Sequence, residues 1–262
     1  MPTSALSTGC IGLLKQGRPI LKSHDMSILR ALNLAIGQLN DPAFRRVILL
    51  GFGLSLLVFL LLLGGLIALV PLIPESSIGW IDKAVIWLAG LGVPLIFALV
   101  TWLLFPAVMT SITSLFLDDV VDAVEALHYP DLAGWRASPL HEAIWLGLRL
   151  SLLIVLINLL ALPLYLALLF TGFGTLALYL AINGYLLGRE YYEMVAVRHA
   201  TPNNARHLRK QNRDKAFMGG LMIALLFMIP VLNLMAPVIG IAMMVHLFHD
   251  SPENKPESRR VN

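Results

Sequence analysis

Charge is what this chain has least of. Asp, Glu, Lys and Arg make up 13% of its 262 residues against 58% hydrophobic ones, whereas soluble domains carry roughly 25% charged residues. Four stretches hold no charged side chain at all: Val47 to Pro74, Ala84 to Leu117, Ser151 to Gly188 and Ala216 to His249. Each exceeds the roughly 20 apolar residues that cross the hydrocarbon layer of a bilayer. A water-soluble core cannot absorb four such runs. In-and-out alternation is missing too. The strands of an outer-membrane barrel alternate over about ten residues, but these runs are apolar on every side.

Other absences narrow the function. Cys10 is the single cysteine, so there is no disulfide framework. The first 40 residues carry Lys15, Arg18 and Lys22 but no contiguous apolar run; we expect no cleavable signal peptide, and insertion directed by the first membrane helix. No GxxxxGK[ST] loop, G-x-S-x-G elbow or HExxH pair occurs, which leaves ATP hydrolysis and intramembrane hydrolysis without their machinery. We therefore expect no enzyme, cofactor or metal. The apolar stretches also lack any carboxylate to relay protons or bind sodium. The net charge of +3 and pI near 9.1 reflect Lys and Arg retained on the cytoplasmic side, not nucleic-acid binding.

The residues that are present outline an all-α integral membrane protein. Ile28, Leu29, Leu32, Ala35, Ile36 and Leu39 recur at three- and four-residue spacing, the mark of an amphipathic helix at the membrane surface. It closes an N-terminal extension over residues 1–41. Asp41 is a good N-cap and Pro42 a good first helical residue, so a transmembrane helix is expected over 42–73. The turn from Pro71 to Lys83 is short and slightly acidic, as befits an external loop. A second helix, expected over 84–128 with bends at Pro94 and Pro106, runs on into Asp118, Asp119, Asp122 and Glu125 on one face and valines on another. If continuous it would be about 65 Å long and would extend into water.

The last two stretches are interrupted near their middles, at Pro163 and Gly172-Phe173-Gly174, and at Pro230, Asn233 and Pro237. Segments of about a dozen residues reach only about 20 Å, short of a layer about 30 Å thick. Each stretch is then either one kinked crossing or a hairpin that dips in and returns. Lys and Arg decide between them. Six lie in the first 46 residues and seven between Arg189 and Lys215, so both segments face the cytoplasm. We therefore expect two re-entrant hairpins of half-inserted helices, over 140–188 and 216–249, around a basic cytoplasmic segment over 189–215. A cytoplasmic tail over 250–262 completes a membrane domain of 42–249. Half-inserted tips need protein or water around them, which implies a homo-oligomer and hints at transport.

Several runs carry a resemblance. Asp41-Pro42-Ala43-Phe44-Arg45-Arg46-Val47-Ile48-Leu49, the long second helix ending in acidic residues, the Tyr191 to Lys215 basic loop, and Met228-Ile229-Pro230-Val231-Leu232-Asn233-Leu234 with Pro237 downstream together resemble the CysZ-type sulfate permeases. The similarity extends over roughly Leu32 to Asp250. It implies a bacterial inner-membrane oligomer, with two long transmembrane helices and two half-inserted hairpins, that admits sulfate for cysteine synthesis. Where that family has Gly-Leu-Arg, this chain has Ala43-Phe44-Arg45. Ala43 keeps the backbone N–H and adds one methyl group.

The chemistry of this segment suits an oxyanion independently of the resemblance. A helix's first turn presents free N–H groups and the positive end of the macrodipole, and Arg45 and Arg46 add charge-assisted donors. Read alone, paired arginines before a membrane helix favour an ordinary positive-inside anchor; it is the resemblance that implies sulfate at Ala43, Phe44, Arg45 and Arg46. Asn158, Asn183 and Asn233, with Arg149 at a boundary, are candidates to line a pore or to bond between helices. His246 and His249 read as boundary residues without a third metal ligand. The acidic face of the second helix reads as solvated, and the cluster of His199, Arg206, His207, Arg209, Lys210, Arg213 and Lys215 as cytoplasmic charge near lipid headgroups. Two functions remain: uncoupled passage of sulfate, or a membrane scaffold that transports nothing.

Overall fold

A computed structural model describes residues 27–69, 92–132 and 140–251, with isolated positions at 79, 83, 87 and 90. The expected N-terminal extension before Ser27, most of the external loop, the start of the second helix and the tail after Ser251 lie outside these residues. The described chain is helical throughout, without a strand. Four helical segments are long and apolar enough to cross a membrane: Pro42–Leu69, Val93–Ser114, Gly147–Thr171 and Pro230–Asp250. The protein is an all-α, multi-pass membrane protein.

Helix α1 (Ile28–Gly37) is capped by the Ser27 hydroxyl, which accepts from the Arg30 N–H at 3.3 Å. Its buried Ala31 and Ala35 are the inward face expected of an amphipathic helix. Helix α2 (Pro42–Leu69) starts where Asp41 and Pro42 place it, the Asp41 carboxylate accepting from the Ala43 N–H at 2.8 Å. Helix α3 (Val93–Ser114) crosses against α2 through the ring contacts of Phe52 and Phe59 with Phe105, and of Phe59 with Phe97. Pro94 lies in its first turn, where its missing N–H costs nothing, and Pro106 lies inside it.

The expected continuous helix to His128 is corrected at Leu115-Phe116. There the N–H groups of Leu115 and Phe116 bond three residues back, to Ile112 and Thr113, and a separate helix α4 (Leu117–His128) begins. The hydrophobic pattern changes at that point, from apolar all round to amphipathic. Val120, Val121 and Val124 enter the core while Asp118, Asp119 and Asp122 stay exposed, as the sequence pattern predicts.

The first interruption falls at Gly172 and not at Pro163. Helix α5 (Leu140–Leu168) runs straight through Pro163. It ends in a 3-10 turn (Leu169–Thr171) at Gly172, whose φ of +65° only glycine adopts without strain. Helix α6 (Phe173–Ala196) returns from it. After α7 (Pro202–Gln211), α8 (Arg213–Met228) breaks at the extended Ile229, and α9 (Pro230–Asp250) continues through Pro237. The arms are therefore longer than a dozen residues; α5 alone is about 43 Å long. Length by itself thus does not make the first interruption a half-insertion.

Helix α9 is the axis of the fold. Every residue from Ala236 to His249 is buried, among α1, α4, α6 and α8. The tightest crossing, α6 on α8, rests on two small-residue pairs, Gly184 with Gly188 and Ala216 with Gly220. A Cβ on Gly220 would strike the Gly184 carbonyl oxygen and the Gly188 backbone. Four-residue spacing of small residues lets membrane helices approach to backbone contact. The opposite surface is apolar and open, with Leu61, Trp102, Leu103 and Leu160 exposed on α2, α3 and α5, as lipid-facing side chains are.

Candidate functional site

At the start of α2 the backbone and the side chains diverge. The Asp41 carboxylate holds the Ala43 N–H, and the Arg45 N–H bonds the Asp41 carbonyl at 3.0 Å. Phe44 is fully buried and packs with Val47 into the core beside Leu117 and Val120. It offers an anion its N–H only. Arg45 and Arg46 are both exposed, on the side of the helix turned away from that core.

The expected polar positions are not gathered in one place. Asn158 is exposed, and its amide donates to the Ile154 carbonyl at 2.9 Å within its own helix. Asn183 does the same toward Tyr179 at 2.9 Å. Asn233 stands apart. It lines an apolar groove of about 640 Å³ between α3 and the α8–α9 turn, with Phe97, Thr101, Trp102, Phe105 and Pro106.

Arg149 does enter a constellation, one whose members lie too far apart in sequence for spacing to show. Glu193 on α6 is 1% exposed, with the Arg209 Nε at 2.8 Å and the Arg189 Nε at 3.3 Å from its Oε1. Burial, and repulsion from Arg149 on α5, push the Arg206 guanidinium below its usual pKa, with Glu193 acting against them and Arg189 and Arg209 adding to the repulsion. Two guanidiniums thus pair with one buried carboxylate, Arg206 feels the same charge, and Arg149 stands near enough to repel Arg206. Such an excess of planar donors suits an oxyanion. The sequence shows three of the four as a basic loop and gives no sign that Arg149 joins them.

A second cluster lies where α4 meets the end of α6 and the end of α9. Arg198 pairs with Asp118 at 2.7 Å and with Asp122. One turn further along α4, Glu125 departs from the solvated face expected of it. It is 2% exposed, and its Oε1 lies 2.7 Å from the His199 Nε2 and 3.0 Å from the His249 Nε2. Burial raises the Glu125 pKa, but hydrogen bonds and charge from His199 and His249 outweigh it and hold the carboxyl down at about 2. Beside them Tyr129 Oη is 2.9 Å from the His246 Nδ1, and Gln38 Nε2 is 3.2 Å from the His128 Nδ1. Burial lowers the His128 pKa, and a backbone hydrogen bond at Val124 partly opposes it.

Comparison with known proteins gives one match. No curated protein and no solved structure is similar enough to match the chain. A protein family does match, over residues 31–237, from the middle of α1 into α9. That span covers most of the chain and includes the start of α2, the arginine cluster and the α8–α9 turn. The chain belongs to the family described as Sulfate transporter CysZ/Etoposide-induced protein 2.4.

Proposed function

We propose that this protein carries sulfate across a bacterial inner membrane, feeding sulfate assimilation and cysteine synthesis, through an uncoupled, channel-like path in a homo-oligomer. The observation that carries the reading is the family match across nearly all of the membrane region. The chemistry is consistent with it. The charge-free stretches supply no carboxylate for proton or sodium coupling, and the sequence has no phosphate loop to bind ATP for hydrolysis.

Sulfate is bound at the start of α2, at the cytoplasmic end of the path. The Arg45 and Arg46 guanidiniums, the Phe44 N–H and the backbone beside Ala43 offer charge-assisted donors at the positive end of a 28-residue helix. Because both side chains turn away from their own core, the path they serve runs between protomers. Arg149, Asn158, Asn183 and Asn233 line parts of that path, and the Arg149–Arg206 cluster attracts the dianion to its basic end.

Re-entrant placement of the two hairpins is supported by their tips. Phe170 and Phe173, flanking Gly172, are 93% and 85% exposed, and no charged residue lies near this turn. The α8–α9 turn exposes Ile229 and Val231 in the same way. Tips like these belong in hydrocarbon or against another protomer, not in water.

The decisive experiment is radiolabelled sulfate uptake into proteoliposomes holding only this protein. Uptake driven by the sulfate gradient alone is expected. Uptake that appears only with an imposed proton or sodium gradient overturns the uncoupled path, and absence of uptake leaves a membrane scaffold.

A further inference from the structure

We infer that Glu125, His199 and His249 form a binding site for one divalent transition-metal ion, with zinc the best fit, that staples α4, the turn after α6 and the end of α9 together. The three residues are distant in sequence, yet their ligand atoms, one from each, all lie within 4.8 Å of one another. Two imidazole nitrogens and one carboxylate oxygen are the borderline donors that zinc and its neighbours in the first transition row prefer.

The geometry, which serves hydrogen bonds in the absence of an ion, also suits a shared ion. Both imidazoles aim the same atom, Nε2, at the same oxygen, Glu125 Oε1. Their ring centroids are 5.1 Å apart and their planes lie 82° to each other. Two imidazoles bound through nitrogen to one tetrahedral ion have centroids about 5 Å apart, given bonds of about 2.0–2.1 Å. The two contacts of 2.7 and 3.0 Å open by about 0.3–0.6 Å to reach the ligand spacing of such an ion, about 3.3 Å, and the two histidine nitrogens start within 4.8 Å of each other.

The surroundings fix the rings before any ion arrives. His249 stacks on Tyr129 with centroids at 4.4 Å, and His199 stacks on Phe248 at 5.3 Å. Orienting the ligands in advance reduces the cost of ordering them on binding. The Glu125 and His249 side chains are 3% and 5% exposed, whereas that of His199 is 14% exposed. The site therefore opens to solvent at His199, where an ion enters and where water completes the coordination. Nearby charge is slightly negative, which suits a cation, since Arg198 faces both Asp118 and Asp122 while Asp250 is paired with Lys215 at 3.0 Å.

The test uses the full-length protein, free of any histidine tag and stripped with EDTA, titrated with zinc chloride against a chromophoric chelator. One zinc per chain is expected, with a thermal midpoint raised by zinc and returned by EDTA. His199→Ala, His249→Ala and Glu125→Gln should each weaken binding at least tenfold, whereas His207→Ala, at an exposed position on α7, should bind as the unaltered protein does. X-ray absorption at the zinc edge of the unaltered protein, which needs no variant to fold, should show two imidazoles and oxygen ligands. No stoichiometric zinc, equal loss in His207→Ala, unchanged binding in His199→Ala, or an edge spectrum without imidazole would each overturn the site. None of these readouts depends on sulfate flux, so the site stands or falls separately from the transport reading.

Discussion

Arg45 and Arg46 follow the fully buried Phe44 but are themselves exposed, so changing them leaves the packing of α2 intact. Arg45→Ala and Arg46→Ala together are expected to insert normally and to lose at least tenfold in sulfate uptake, on the order of the 1.5–3 kcal/mol carried by a hydrogen bond to a charged group. Flux and membrane fraction measured on the same vesicles check this. Glu193 is the opposite case, a side chain whose removal should be felt first in stability. Replacing it with Ala leaves Arg189 and Arg209 buried around nothing, and breaking a buried pair in this way costs about 3–5 kcal/mol; thermal unfolding in detergent reads it. These two sites also show what a sequence hides at this scale. The arginines before α2 are adjacent and visible, because a helix start is written in neighbouring residues. Arg149 and Arg206 are 57 positions apart, and Glu125 meets His249 from 124 positions away. No local pattern records either meeting.

Among the elements, the α6–α8 crossing is the most constrained. Gly188 and Gly220 touch backbone to backbone, so any side chain at Gly220 must push the helices apart. Gly220→Val should destabilise the protein by at least about 1–3 kcal/mol, the usual range for overpacking, whereas Gly53→Val, which meets open space on α2, should be close to neutral. Midpoints of thermal unfolding for the two variants test the contrast. The small-residue spacing becomes informative only once a partner helix is known, and sequence reasoning misses it. The breaks at Gly172 and before Pro230 were legible in the sequence, whereas Pro163 and Pro237 are no breaks. Pro163 and Pro237 stay inside helices because a membrane helix whose neighbours satisfy the freed carbonyl tolerates proline. Gly172 and Ile229, which leave helical backbone geometry, are the true turns.

On the scale of the whole molecule, the placement of the hairpin tips separates the two topologies. With Cys10 replaced by serine, a cysteine at Phe170 should resist a membrane-impermeant thiol reagent added to either face of sealed vesicles, and a cysteine at His207 should react from the cytoplasmic face only. Labelling of Phe170→Cys from outside would make α5 a full crossing and require the charge argument to be abandoned. The membrane class, the helical content, the amphipathic α1 and the start of α2 were all determined by the sequence alone. Each follows from the length of an apolar run, a periodicity or a cap, and such signals lie within a few neighbouring residues. Tertiary structure alone decided that α9 is the buried axis, that Arg149 joins three arginines on α6 and α7, and that Glu125 leaves the solvated face of α4 to meet two histidines. These facts depend on which helices pack together, and packing is set by shape and burial summed over the whole chain, not by any segment that can be read on its own.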